Sequence, residues 1–293
     1  MKTLYFCMII MWLVNQRVSA QQKKNPVSVD FGLDLTSNDF SWSIAGNLAG
    51  ANPNVLSEVS WKDLQGTAGA IGIEIPLFDR LYVSGNFSKS FTYSGKATDT
   101  DYTEDNRRNT VYKAELESKN GFFADYQLSL GYHFNISGVT LSPNFGYGGN
   151  TQFLYLSDSD FEILNSTYKV LWKGFIARLE IQKYIKKFNL IAAIGYQQVN
   201  YNAKANWNFI DEFKHPVSFT HIAKGYGTTG DLKLIYRTKS IICPFITAGF
   251  CYSSTGAGID ELYYTDGRIA KTRLNNVSHS GYNFGLGLKI ELR

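Results

Sequence analysis

Four residues have the types and spacing to do chemistry. Asp99 and Asp101 lie in the acidic stretch Thr98-Asp99-Thr100-Asp101-Tyr102-Thr103-Glu104-Asp105-Asn106-Arg107-Arg108, and Asp211 and His215 lie in a second polar stretch, Asn206 to Pro216. Two neighbouring carboxylates raise each other's pKa, and an Asp near a His orients it or stabilises its charged form. Set across a cleft from one another, the two pairs would hold and activate a water. The same side chains equally suit solvation and local ion pairing, the usual fate of charged loop residues. Asp99, Asp101 and Glu104 would give calcium only part of a ligand set, without the glycine-turned twelve-residue loop of an EF-hand. His133 and His221 stand alone and read as wall or loop residues.

The elements that must position these residues are strands. Phe284, Leu286, Leu288, Ile290 and Leu292 alternate with Asn283, Gly285, Gly287, Lys289 and Glu291, so one face is apolar and the other small or charged. Val27 to Leu35, Leu81 to Phe91, Phe122 to Phe134 and Val139 to Tyr147 repeat the pattern. It is the pattern of a strand between lipid and a polar lumen. Short connections fall at Leu77 to Arg80, Asn135 to Gly138, Lys186 to Phe188 and Thr238 to Ser240. Long polar ones fall near 95–112, 156–166, 206–217 and 256–272, with a further loop at Ala49 to Asn54. Turns on one side and loops on the other describe an all-β, transmembrane, antiparallel up-and-down β-barrel of about ten strands. The strands are expected at 27–48, 55–76, 81–95, 113–134, 139–156, 166–185, 189–205, 218–237, 241–255 and 273–292. In the first, apolar residues move from odd to even positions between Leu35 and Phe40, which predicts a bulge at Ser37-Asn38-Asp39. Trp42, Trp61, Tyr93, Trp172 and Tyr184 are expected near strand ends. A soluble sandwich would have shorter strands, of about 5–6 residues.

Composition agrees: Gly (26), Tyr (19) and Phe (20) are abundant and Pro (6) is scarce, and beyond residue 20 no stretch is apolar enough for a membrane helix. Lys2, the apolar run Leu4 to Val14 and Val18-Ser19-Ala20 have the order of a cleaved secretory signal, so residues 1–20 are expected to leave and 21–293 to form the barrel. The formal charge is +4, of which Lys2 and Arg17 supply two positives, too balanced for a nucleic-acid partner. Cys243 and Cys251 fall on one expected strand, roughly 26 Å apart and beyond disulfide reach. Asp125, Gln127, Arg178, Glu180, Gln182, Lys289 and Glu291 are expected to fill the lumen and pair across it.

Two segments carry a family resemblance: Asp39-Phe40-Ser41-Trp42-Ser43-Ile44-Ala45-Gly46, and Asn52-Pro53-Asn54-Val55-Leu56-Ser57-Glu58-Val59-Ser60-Trp61-Lys62-Asp63-Leu64. They resemble the Protochlamydia-type outer-membrane protein family, which is itself similar to the omptins, ten-strand outer-membrane proteases. The resemblance implies an integral outer-membrane barrel with outer-membrane lipid as partner, including lipopolysaccharide, and a peptide or surface ligand at the outer loops. It implies no other cofactor. Omptins carry an acidic pair in the second loop, matched by Asp99 and Asp101, and an Asp-x-His in the fourth. Here Asp211-Glu212-Phe213 has phenylalanine in the histidine's place, and His215 lies two residues on. The first loop, Ala49 to Asn54, lacks the acidic residue expected there. The leading expectation is therefore a non-proteolytic surface barrel with a binding or structural role. An omptin-like endoprotease using Asp99, Asp101, Asp211 and His215 is the first alternative, and a small porin-like channel the second.

Overall fold

The computed structural model describes residues 26–157 and 165–292. The expected signal segment and the mature start at Gln21 lie outside these residues, as does most of the third long loop. Among the described residues, thirteen strands form one closed antiparallel sheet: β1 (Val27–Ile44), β2 (Ser57–Pro76), β3 (Leu81–Glu104), β4 (Arg108–Glu117), β5 (Phe122–Tyr132), β6 (Phe134–Ile136), β7 (Val139–Leu156), β8 (Ser166–Ile185), β9 (Phe188–Asn206), β10 (Phe219–Tyr236), β11 (Ile242–Thr255), β12 (Gly258–Tyr263) and β13 (Ile269–Leu292). Pairing of β1 with β13, from Val27 opposite Leu292 up to Ile44 opposite Leu274, closes the ring and removes both edges. β4, β5 and β6 are successive pieces of one barrel strand, and β11 and β12 of another, so ten strands make the wall. The expected loops at 95–112 and 256–272 are largely strand, the upper parts of two hairpins, β3–β4 and β12–β13.

The outward face divides by height. At one level it is apolar, with Phe31, Leu33, Leu35, Leu128, Phe145, Ile194, Leu232, Phe284 and Leu286 exposed. Phe91, Tyr93, Tyr147, Phe175, Tyr196, Tyr226, Tyr252 and Tyr282 make an exposed aromatic belt toward the long-loop side. Beyond the belt, outward positions turn polar, as at Lys96, Lys169 and Lys204. This is an apolar band with an aromatic girdle at the membrane interface.

The inward face is divided in the opposite sense. Within the band it is polar: Arg178 Nη1 holds Asp231 at 2.7 Å, Arg178 Nε holds Glu180 at 3.1 Å, and Lys233 Nζ holds Asp30 at 2.6 Å. Arg178 and Glu180 thus pair as expected, while Asp125 is bonded by Asn150 rather than by a cation, and Gln127 and Gln182 bond neighbours on their own strands. Above the band the lumen is filled by an apolar core of Phe40, Trp42, Val59, Trp61, Leu64, Leu154, Leu156, Tyr168, Trp172, Tyr201, Trp207, Phe219, Leu274 and Val277. The rings interlock: Trp61 stacks on Tyr168 at 5.7 Å, and Trp42 meets Phe219 edge-on at 5.7 Å. Trp42, Trp61 and Trp172 therefore sit inside the barrel, whereas Tyr93 faces outward and Tyr184, on the inner face of β8 with Gln182, is exposed at the short-turn end.

This inversion corrects the expected bulge. β1 pairs with β13 without a break from Val27 to Ser43, and its even residues face inward throughout. Asp34 and Phe40 share a face, and only its surroundings change. One extra residue lies in β2, where Asn38 pairs with Leu64 but Phe40 with Trp61, and where Lys62 pairs with Lys96 but Gln65 with Ser94; a second lies in β3, where Gln65 pairs with Ser94 but Gly66 with Thr92. Asp63, at φ 53°, absorbs the first. Cys243 is buried and Cys251 partly buried, both as free thiols.

Candidate functional site

The hairpin β3–β4 positions the acidic pair above the membrane band. Its two-way turn uses left-handed backbone at Asn106 and Arg107, and its tip is tied to the first loop. Asn54 N donates to Asp105 Oδ1 at 2.7 Å, and Asn106 N donates to Asn54 Oδ1 at 2.7 Å. Arg107 Nε donates to Glu58 Oε2 at 2.8 Å, and Tyr102 OH to Glu58 Oε1 at 2.8 Å. Much of the charge of this stretch is thus spent in holding two loops together.

Asp99 pairs with Val59 on one side and Ala114 on the other, and Asp101 with Ser57 and Tyr112, so both carboxyls lie on one face of the wall. Val59 is fully buried and Asp99 is only 5% exposed, which marks that face as the inner one. Burial, reinforced by the negative charge of Asp101, pushes the Asp99 carboxyl up to about 7. Burial also raises Asp101, offset in part by a hydrogen bond with Ser57. Among the described residues no group of three or more His, Cys, Asp or Glu gathers as a metal site, so Asp99, Asp101 and Glu104 do not converge on a cation.

The second pair is not assembled. His215 Nδ1 lies 2.9 Å from Asn206 Oδ1 and 3.4 Å from Ser218 Oγ, within its own loop. Phe213 forms a bridge with Tyr264 and packs on its ring at 5.8 Å, while Lys214 N donates to Tyr263 O at 2.9 Å. These contacts anchor the fourth loop to the β12–β13 hairpin, with Asp211 and His215 exposed on either side of Phe213. Among the described residues no hydrogen bond or ion pair joins Asp99 or Asp101 to Asp211 or His215.

Sequence reasoning missed a different polar cluster. His221 is fully buried in the aromatic core; its Nδ1 lies 2.6 Å from Tyr168 OH, which lies 2.6 Å from Tyr201 OH. His221 Nε2 stands 3.1 Å from Asp260 Oδ1, within ion-pair reach though off the line of a hydrogen bond. Thr272 Oγ1 donates to Asp260 Oδ2 at 3.0 Å. The chain of polar groups crosses five wall strands inside the aromatic core, where Tyr168, Tyr201 and His221 have no exposed surface. Only the register, which sets His221 opposite Asp260, brings these residues together, and no local motif announces it.

A closed ten-strand wall with a lipid-facing band, an aromatic girdle and long outer hairpins is an outer-membrane β-barrel. The chain belongs to the Protochlamydia outer membrane protein family, whose profile it matches over residues 30–291. Its fold is that of the outer membrane protease OmpT from Escherichia coli, at 14% identity and a TM-score of 0.71, over 94% of this chain and 99% of that one. OprG from Pseudomonas aeruginosa aligns at 12% identity and a TM-score of 0.42, covering 92% of this chain and 98% of that one. No curated protein sequence matches the chain.

Proposed function

We propose that the chain is a closed, non-proteolytic surface barrel whose outer hairpins, rather than a pore or a catalytic cleft, meet its partners. The observation that carries this reading is the aromatic core filling the lumen above the membrane band. Rings packed across the lumen argue against an aqueous path through it, and no hydrogen bond or ion pair among the described residues links the acidic pair to the fourth loop. The histidine speaks for the same reading. A general base must come within about 3 Å of the proton it takes, directly or through one water, and His215 is held by Asn206. Export by a signal within residues 1–20 belongs to the same proposal. The test is incubation of the refolded protein with a library of basic peptides, with lipopolysaccharide present. No cleavage above background is expected. Efficient cleavage that is lost in both His215→Ala and Asp99→Ala, with the barrel still folded, would overturn the reading.

Lipopolysaccharide is the lipid partner we propose. Lys169 and Lys204 face outward directly across from one another, an arrangement that costs stability unless an anion lies between. Lys214 lines the same groove, of about 580 Å³, with Leu171, Ile222 and Tyr263 as its apolar part. Lys169→Ala with Lys204→Ala should lower the unfolding temperature in lipopolysaccharide but not in zwitterionic detergent.

A further inference from the structure

Beneath the aromatic core the lumen is not full. A cavity of about 530 Å³ runs through the membrane-spanning part of the barrel, lined along β1 from Ser28 to Asn38, a path of roughly 33 Å along the strand. Its size lies in the range of ligand pockets, and its shape is long and narrow.

The wall of this cavity is electrically one-sided. Asp30, Asp34, Glu74, Asp125, Glu180 and Asp231 line it, against Arg178, Lys233 and Lys289. Arg178 serves Asp231 and Glu180, and Lys233 serves Asp30. Asp34 and Asp125 are left with neutral partners only. Thr247 Oγ1 and Asn283 Nδ2 donate to Asp34 at 3.1 and 3.2 Å, and Asn150 Nδ2 and Ser88 Oγ donate to Asp125 at 2.6 and 3.5 Å. An independent observation has the same sign. The buried side-chain atoms of the wall that lack a partner are all oxygens: Asp30 Oδ1, Thr36 Oγ1, Asn144 Oδ1 and Asn150 Oδ1. Asn144 is only 2% exposed and lines the cavity, with its carbonyl oxygen unpartnered. Unpaired acceptors beside uncompensated carboxylates call for a guest that brings N–H donors and positive charge.

We propose that the membrane-level lumen binds a linear organic cation of the polyamine class, with its ammonium groups at Asp34 and Asp125 and its N–H groups on the unpaired oxygens. The alkyl segments of such a guest span the distance between carboxylates, and the length of the cavity suits a chain better than a compact ring. The aromatic core blocks the outer end, so entry is from the periplasmic end.

The test is calorimetric titration of spermidine into the full-length barrel, refolded in detergent at low salt. Saturable one-to-one binding is expected, weakened about tenfold by Asp34→Asn and by Asp125→Asn, the loss of one charge-assisted contact. Asp34→Lys supplies a cation covalently and should abolish binding while raising the unfolding temperature, so a loss of binding there is not a loss of fold. A neutral polyol of similar length should not bind. Absence of saturable heat up to about 10 mM spermidine, beyond millimolar affinity, would mean that water alone fills the cavity and would overturn the proposal. So would an affinity unchanged in both asparagine variants. An affinity that falls instead in Asp99→Asn would assign the cation to the mouth and overturn it equally.

Discussion

Asp99 is a carboxyl held on an apolar wall, between Val59 and Ala114 and beside a second carboxyl. Its pKa stands near 7 in the folded protein, against 3.8 for the free side chain. Between those values the folded protein keeps a proton that the unfolded chain has released, so stability falls as pH rises from about 4 to 7 and is level above. Asp99→Asn removes this dependence. Unfolding temperatures of variant and parent, measured in detergent, should coincide near pH 4 and separate in the variant's favour by pH 8. A catalytic or structural demand for the ionised carboxylate would reverse that order. Tyr168 is the other residue on which much depends, because its hydroxyl touches both Tyr201 and His221. Tyr168→Phe leaves two buried groups short of a partner and should cost about 1–3 kcal/mol in urea unfolding. Tyr147→Phe, on the lipid-facing belt, should leave the midpoint in place. The acidic pair was legible in the sequence because it is local. The buried His221–Asp260 contact was not, because it depends on register across separate strands.

At the level of the strand, one residue of β2 sets which of that strand's side chains face the core above the membrane band. Val59 and Trp61 are odd-numbered and buried, and Leu64 is even-numbered and buried, so the phase changes across Lys62 and Asp63. Deleting Asp63 would turn Val59 and Trp61 outward while the residues below stay in place. The deletion should therefore abolish the compact, heat-modifiable form on gels, whereas Asp63→Gly, which accepts the same positive φ, should retain it. The ten-strand count, the short turns and the lipid-facing residues could all be read from alternation, because lipid imposes one apolar face over a long stretch. The position of the bulge could not. The switch of apolar parity between Leu35 and Phe40 resembles a slip in the chain, and is in fact an unbroken strand whose two faces exchange polarity where the membrane ends. Read without that exchange, Trp42, Trp61 and Trp172 look like girdle residues rather than core.

For the molecule as a whole, the two halves of the lumen are built differently, with a cavity edged by charged side chains within the membrane and close-packed rings above it. Planar bilayers containing the refolded protein should show no large, stable conductance. A steady open level of general-porin size would mean that the rings do not close the lumen. The same division gives the two halves different thermodynamics. The membrane-level wall keeps its apolar face in lipid, whereas opening of the upper half would bring Trp61, Trp172, Leu154 and Val277 into water. Hydration of that surface carries a positive heat capacity change, so the free energy of opening is a dome in temperature, as for a water-soluble domain. The mouth of this barrel should therefore loosen on cooling as well as on heating, while the wall below it stays shut, and backbone amide protection around Trp61 should pass through a maximum between those extremes.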